Sequence, residues 1–192
     1  MLTIEQKNHN EIKFMELLSK LNIDLTELSK FLDSVDYFNK PNTAQYDGAY
    51  PGGLCEHTLK VAHELGVLCN AYFPGKYTEE DVIKVAFFRE LYKATMYEVY
   101  MKNVKNNETG QWETIPAYRI CDTSIRPVFG DVGFSSFMQA KNFISLTDEQ
   151  IEAIIYGKPM ESSPDIYDIL KKYPLVTLTR MAEEAASFLV LN

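Results

Sequence analysis

The residues whose types suggest chemistry fall in two segments of this 192-residue chain. In the first, residues 49–59, Tyr50 lies in a loop with proline and glycine, and His57 follows it. In the second, Arg89 and Lys93 are four residues apart, a spacing that places them on one face of a helix. Two such cations can bind a phosphate through charge-assisted hydrogen bonds, and an imidazole can bind a metal or transfer a proton. These residue types therefore point to an anion or a metal as the ligand.

The elements that must position these residues are mostly helices. Apolar residues recur at spacings of three to four over much of the chain, and Thr3, Thr78 and Thr147 each precede an acidic residue or Gln at the third position, which is typical of a helix start. We predict helices at about residues 3–21, 24–32, 54–72, 78–92, 134–142, 147–156 and 175–191. The long segment 39–53, with its Pro, Gly and Asn residues, predicts a functional loop.

The hydrophobic pattern changes between about residues 95 and 120. Residues 96–101 and 111–115 alternate as β-strands do, and residues 106–110, which contain Asn and Gly, predict a turn between them. We therefore predict a small β-hairpin inserted among helices. At roughly 150 residues per domain, the length predicts a single, mainly α domain over residues 1–192.

The sequence of residues 49–59, AYPGGLCEHTL, resembles the opening motif of the HD-domain superfamily of metal-dependent phosphohydrolases. It is most similar to the phage and bacterial branch, in which a Tyr-Pro-Gly-Gly loop precedes the first ligand histidine. Later features are similar in order: a helix with Arg89-Glu90 at the position of the histidine–aspartate doublet, the hairpin, and a capped late helix. The resemblance covers residues 37–190 and implies an HD-like helical bundle, with residues 1–35 as an N-terminal helical extension.

The resemblance also implies a divalent metal, but several ligand positions differ in this chain. His57 stands at the first position, Arg89-Glu90 replaces the doublet, and Glu183 replaces a late aspartate. The positions of two further histidines correspond to Val132 and Tyr156–Gly157. Arginine has no free lone pair and keeps its charge, so it repels a cation. We therefore predict that the metal centre is lost, that no cofactor is bound, and that Glu90 and Glu183 are charge partners of Arg89.

The function expected from these residues is binding of a small nucleotide or another phosphate-bearing ligand by a catalytically inactive HD-like protein. Family analogy suggests a phage protein that sequesters a host nucleotide immune signal. Arg89 is expected inside the site and Lys93 nearer its mouth, with aromatic rings against the base. The residues expected to contact the ligand are Tyr50, His57, Arg89, Lys93, Trp112 and Tyr118.

Three alternatives stay open at the sequence level. Arg89 could have a purely structural role, as a cation that takes the place of the metal and pairs with Glu183 or Glu90. The chain could be a residual metal-dependent phosphohydrolase that uses His57, Glu90 and Glu183. It could also be a protein-binding scaffold with a vestigial pocket.

Composition and charge narrow the classes of partner. The chain has 46% hydrophobic residues, which is typical of a globular protein, and its formal net charge is −8. This charge repels nucleic-acid backbones and anionic membranes, so we expect neither as a partner. Three cysteines without a C-x-x-C pair and an N-terminus without a signal-peptide pattern predict a cytoplasmic protein, in the host cell if it is viral. Homo-oligomerisation stays open.

Overall fold

The computed structural model describes residues 2–46, 48–126, 129–158 and 164–189. The fold is mainly helical, with one two-stranded antiparallel sheet. Its elements, in chain order, are α1 (Ile4–Leu18), α2 (Thr26–Ser34), a 3₁₀ turn (Tyr37–Asn39), α3 (Gly53–Tyr72), α4 (Glu79–Phe88), α5 (Lys93–Met96), β1 (Tyr97–Lys105), β2 (Trp112–Ile120), α6 (Val132–Ala140), α7 (Asp148–Tyr156), α8 (Ile166–Lys172) and α9 (Pro174–Phe188). None of the described helices is both long and apolar enough to span a bilayer.

The predicted mainly α fold with a hairpin is confirmed. Strands β1 and β2 pair without interruption from Tyr97 opposite Ile120 to Lys105 opposite Trp112. The capping boxes predicted at Thr3 and Thr147 are present, because each threonine accepts from the backbone three residues later and the Gln side chain there bonds back. Helix α8 was not predicted, and residues 190–191, which the last helix was expected to include, lie outside the described residues.

Helix α4 ends at Phe88, so the prediction that it continues to Tyr92 was wrong. The Arg89 N–H donates to the Val85 carbonyl four residues earlier, as in an α-helix. The hydrogen bonds that follow span only three residues, and the Lys93 N–H donates to the Glu90 carbonyl at 2.9 Å. The tighter turn precedes the one-turn helix α5. The Arg89, Glu90 and Lys93 side chains of this segment are all buried in the interior.

The hydrophobic core is organised around α3, which packs extensively against both α9 and α4. Leu54, Val61 and Leu65 of α3 are fully buried. The N-terminal helix joins this core through Phe14, whose ring stacks on Phe87 at 4.3 Å between centroids. Consequently α3, the α4–α5 turn and α9 meet inside the protein. Each of them contributes at least one buried titratable side chain there.

Candidate functional site

A cluster of buried charged side chains lies where α3, the α4–α5 turn and α9 meet. We call it the charge cluster; its members are His57, Arg89, Glu90, Lys93, Lys158 and Glu183. All except Lys158 are at most 9% exposed. Lys158 follows the end of α7, and its side chain is 29% exposed. Because buried charges are stable only when they are paired, the contacts within this cluster determine what it can do.

Glu183, on α9, joins the histidine to the arginine. Its Oε2 accepts a hydrogen bond from Arg89 Nη1 at 2.7 Å and another from His57 Nε2 at 2.8 Å. Burial raises the pKa of the Glu183 carboxyl, but Arg89 and His57 together outweigh that effect, and the pKa lies at about 2. Glu183 is therefore ionised, and His57 donates to it.

Glu90 lies close to all three cations of the charge cluster. Its Oε1 lies 2.7 Å from Lys93 Nζ, 3.0 Å from Lys158 Nζ and 3.5 Å from Arg89 Nη2. Burial raises the pKa of the Glu90 carboxyl, but Lys158, Lys93 and Arg89 together hold it well below its usual value. This carboxylate is therefore charged although its side chain is 1% exposed.

The charge cluster has an excess of positive charge. Arg89, Lys93 and Lys158 face two carboxylates, which leaves one positive charge over when His57 is neutral. Burial lowers the pKa of the Lys93 amine to about 8, whereas the nearby Glu90 carboxylate raises that of Lys158. Such an arrangement attracts an anion and disfavours an added cation.

The residues present do not fit the divalent metal that the HD resemblance implies. One potential ligand atom from each of His57, Glu90 and Glu183 lies within 4.8 Å of the others. Arg89, however, already bonds Glu183 and approaches Glu90. A dication about 4 Å from a guanidinium would be repelled by roughly 8 kcal/mol at an effective dielectric of 20. No catalytic step through a metal follows from this arrangement.

Gly157 shows that a further ligand has no space here. A Cβ at this position would lie 2.3 Å from the Ala153 carbonyl oxygen, 2.6 Å from Thr179 Cγ2 and 3.5 Å from Arg89 Nε. A histidine side chain therefore cannot occupy this position in this packing. Arg89 and the close approach of α7 to α9 take up the space instead.

The three aromatic residues expected around the ligand lie in different parts of the structure. The Tyr50 hydroxyl donates to Glu56 Oε2 at 2.6 Å, on the first turn of α3. Trp112 is 72% exposed at the far end of the hairpin. It lies about 26 Å along the strand from Tyr97 and Ile120, the paired residues where the hairpin begins and ends. Tyr118 is half-buried on β2, opposite Val99. The structure thus brings His57, Arg89 and Lys93 together but places Trp112 elsewhere.

The sequence argument missed Lys158 and Asn42 and misplaced Lys93. Lys93 is 4% exposed and donates to Asn42 Oδ1 at 2.6 Å, so it lies inside the charge cluster and not at its mouth. Lys158 is the outermost cation. A signal for it was available only through the HD resemblance, which assigns a ligand position to Tyr156–Gly157, directly before Lys158.

Comparison of the chain with protein-family models, with curated proteins and with solved structures finds no match. The HD resemblance therefore rests on the residues quoted above, and the function has to be argued from the charge cluster.

Proposed function

We propose that this protein is a catalytically inactive HD-like protein that binds a small phosphate-bearing ligand, with a nucleotide as the expected class. The observation that carries the proposal is the excess positive charge of a buried cluster whose outermost member, Lys158, reaches solvent. An anion that enters beside Lys158 neutralises that excess. The HD resemblance suggests a phage protein that sequesters a host nucleotide signal as the biological setting.

The contacts divide the roles among the cations. Arg89 is held by Glu183 and serves as a fixed charge beneath the ligand. Lys158 is at the rim, and its ammonium can turn from Glu90 towards a phosphate oxygen with little rearrangement. Lys93, held between Glu90 and Asn42, supplies a second donor behind it.

Tyr97, at the start of β1, is an aromatic residue on which charges of the cluster act. Burial raises the pKa of its hydroxyl, and the charges of both Lys158 and Glu90 also act on it. Its ring is therefore better placed than that of Trp112 to contact the base of a nucleotide bound at Lys158.

The test is nucleotide binding by the purified protein and by two lysine variants. Mass spectrometry of small molecules retained from a cell lysate identifies the ligand, and calorimetry measures its affinity. Lys158→Ala is expected to weaken binding by about tenfold or more, because a charge-assisted hydrogen bond is lost. Lys84→Ala is the matched control, since Lys84 pairs with Glu80 on α4, outside the charge cluster. Equal affinity of the two variants, or no binding of any nucleotide, contradicts the proposal.

A residual metal site is a second candidate, favoured by the proximity of His57, Glu90 and Glu183. A titration with Mn²⁺ distinguishes the two candidates, because an anion site with Arg89 in place should not bind the metal. Stoichiometric binding that is lost in His57→Ala supports the metal site, whereas binding only after Arg89→Ala shows that the arginine excludes the metal.

A further inference from the structure

Asn42 is an uncharged polar residue buried beside the charge cluster. It lies near the start of the loop that joins the 3₁₀ turn to α3, and it is 7% exposed. Its Oδ1 accepts a hydrogen bond from Lys93 Nζ at 2.6 Å, and the same ammonium lies 2.7 Å from Glu90 Oε1. Lys93 is thus held by one carboxylate and by one neutral amide.

The loop holds Asn42 in this position through close contacts with its own backbone. The Asn42 N–H donates to the Gly48 carbonyl at 2.8 Å. Gly48 has a φ of +79°, and a Cβ at this position would lie 2.6 Å from Asn42 Cβ. A Cβ on Gly53, the first residue of α3, would lie 2.2 Å from the Gly48 carbonyl oxygen. Because both positions need a residue without a side chain, the loop is built to fix the Asn42 amide against Lys93.

An asparagine at this position holds Lys93 without cancelling its charge. Glu90 cannot cancel it alone, because Glu90 Oε1 also lies 3.0 Å from Lys158 Nζ. An aspartate in place of Asn42 would add a third carboxylate to the charge cluster and remove its excess positive charge. It would also bond Lys93 more strongly than an amide does. The neutral side chain therefore favours anion binding at the expense of a stronger internal contact.

The nitrogen of the Asn42 amide is available to a ligand. Since Oδ1 faces the Lys93 ammonium, Nδ2 carries the two N–H donors of the side chain. Among the described residues no acceptor bonds to Nδ2, and this atom is not one of the fully enclosed polar atoms that lack a partner. Lys93 and Lys158 both contact Glu90 Oε1, so an anion that enters beside Lys158 meets Lys93 and its Asn42 next.

We infer that Asn42 contacts the ligand and determines the specificity of the charge cluster for anions. Its Oδ1 orients the Lys93 ammonium, and its Nδ2 donates a hydrogen bond to a phosphate oxygen. The atom with which an asparagine could bind a cation is Oδ1, and Lys93 already occupies it. This inference rests on the proposed function, because it adds a contact to the same site.

The experiment measures binding of inorganic phosphate by calorimetry at constant ionic strength. Asn42→Asp keeps the shape of the side chain and the hydrogen bond from Lys93, but it removes the Nδ2 donor and the excess positive charge. We expect it to weaken phosphate binding by about tenfold or more. Asn42→Ala removes the donor without adding a charge, so a smaller loss of about threefold to tenfold is expected.

The matched control is Asn70→Asp, which adds the same charge at an exposed position near the end of α3. It should bind phosphate within about twofold of the parent, because Asn70 lies outside the charge cluster.

Thermal unfolding separates this role from a purely structural one. Asn42→Asp is expected to be at least as stable as the parent, because the aspartate forms an ion pair with Lys93, whereas Asn42→Ala should be less stable. In a purely structural role, binding would follow stability, and the aspartate variant would bind phosphate as the parent does.

Equal phosphate affinity of Asn42→Asp and the parent overturns the inference and leaves the proposed function standing. A parent that binds no phosphate up to about 50 mM overturns both, because the anion contact on which they rest is then missing.

Discussion

Arg89 supplies the positive charge between two buried carboxylates. It lies between Glu183 and Glu90 and compensates two carboxylates that would otherwise repel one another. A guanidinium keeps its charge and has no free lone pair, so it compensates these carboxylates but cannot coordinate a metal. The proposed anion-binding role rests on this fixed charge.

At the residue scale, Arg89→Ala is expected to lower the free energy of unfolding by about 3–5 kcal/mol. The reason is that Glu183 and Glu90 are left buried without their shared cation. Urea denaturation measures the change. The double variant Arg89→Met with Glu183→Gln should recover part of the loss, because it removes the charge on both sides of the pair.

The control for that measurement is Lys30→Ala on α2. Both side chains of the Lys30–Glu27 pair are well exposed, 67% and 71%, so losing this pair should change stability by less than about 0.5 kcal/mol. A loss below about 1 kcal/mol in Arg89→Ala would show that the guanidinium is not needed to compensate the buried carboxylates.

At the scale of elements, the site depends on where helices end. The early end of α4 turns Arg89, Glu90 and Lys93 inward, and the end of α7 at Tyr156 brings Lys158 to Glu90. The end of α7 requires a residue without a Cβ. A Cβ at Gly157, the residue between α7 and Lys158, would overlap the Ala153 carbonyl and the Thr179 side chain.

We therefore expect Gly157→Ala to destabilise the protein by about 1–3 kcal/mol, since the added methyl overlaps neighbouring atoms. It should also weaken ligand binding, because Lys158 shifts with the end of α7. Gly66→Ala is the matched control: the nearest atom to its new Cβ is Val82 Cγ1 at 3.9 Å, and α3 should gain up to about 1 kcal/mol. Chemical denaturation compares the two. Equal stabilities would mean that α7 can move away from α9 freely.

At the scale of the whole molecule, the buried carboxylates make stability depend on acid pH. The pKa of Glu183 is about 2 in the folded protein and 4.5 as an ordinary glutamate, and that of Glu90 is also held well below 4.5. Below pH 4.5 the unfolded chain therefore binds more protons than the folded one. Stability from these groups is complete above about pH 4.5 and is lost as the pH falls towards 2.

The measurement is the free energy of unfolding between pH 6 and pH 2.5, in the parent and in Glu183→Gln. The variant is expected to be less stable at neutral pH, because Arg89 loses its charged partner, and to lose stability less steeply in acid. If both proteins show the same slope below pH 4.5, Glu183 does not have the lowered pKa that its contact with Arg89 gives it.

The sequence by itself determined most of the helices, the hairpin and the identity of most charged residues in the charge cluster. Local rules are enough for these features: Thr3 and Thr147 cap helices through neighbouring residues, and the alternation after Met96 has the period of a strand. The permanent positive charge of Arg89 was also readable, because a guanidinium stays protonated whatever its surroundings.

Only the tertiary structure decided which charges meet. Lys158 reaches Glu90, Asn42 reaches Lys93, and Trp112 lies at the tip of a hairpin far from all of them. None of these facts has a local signature, since each depends on how α3, α7 and α9 pack and on how far the hairpin extends. The early end of α4 belongs to the same class, because the apolar spacing of the sequence continues to Tyr92 and carries no local signal for a helix end at Phe88.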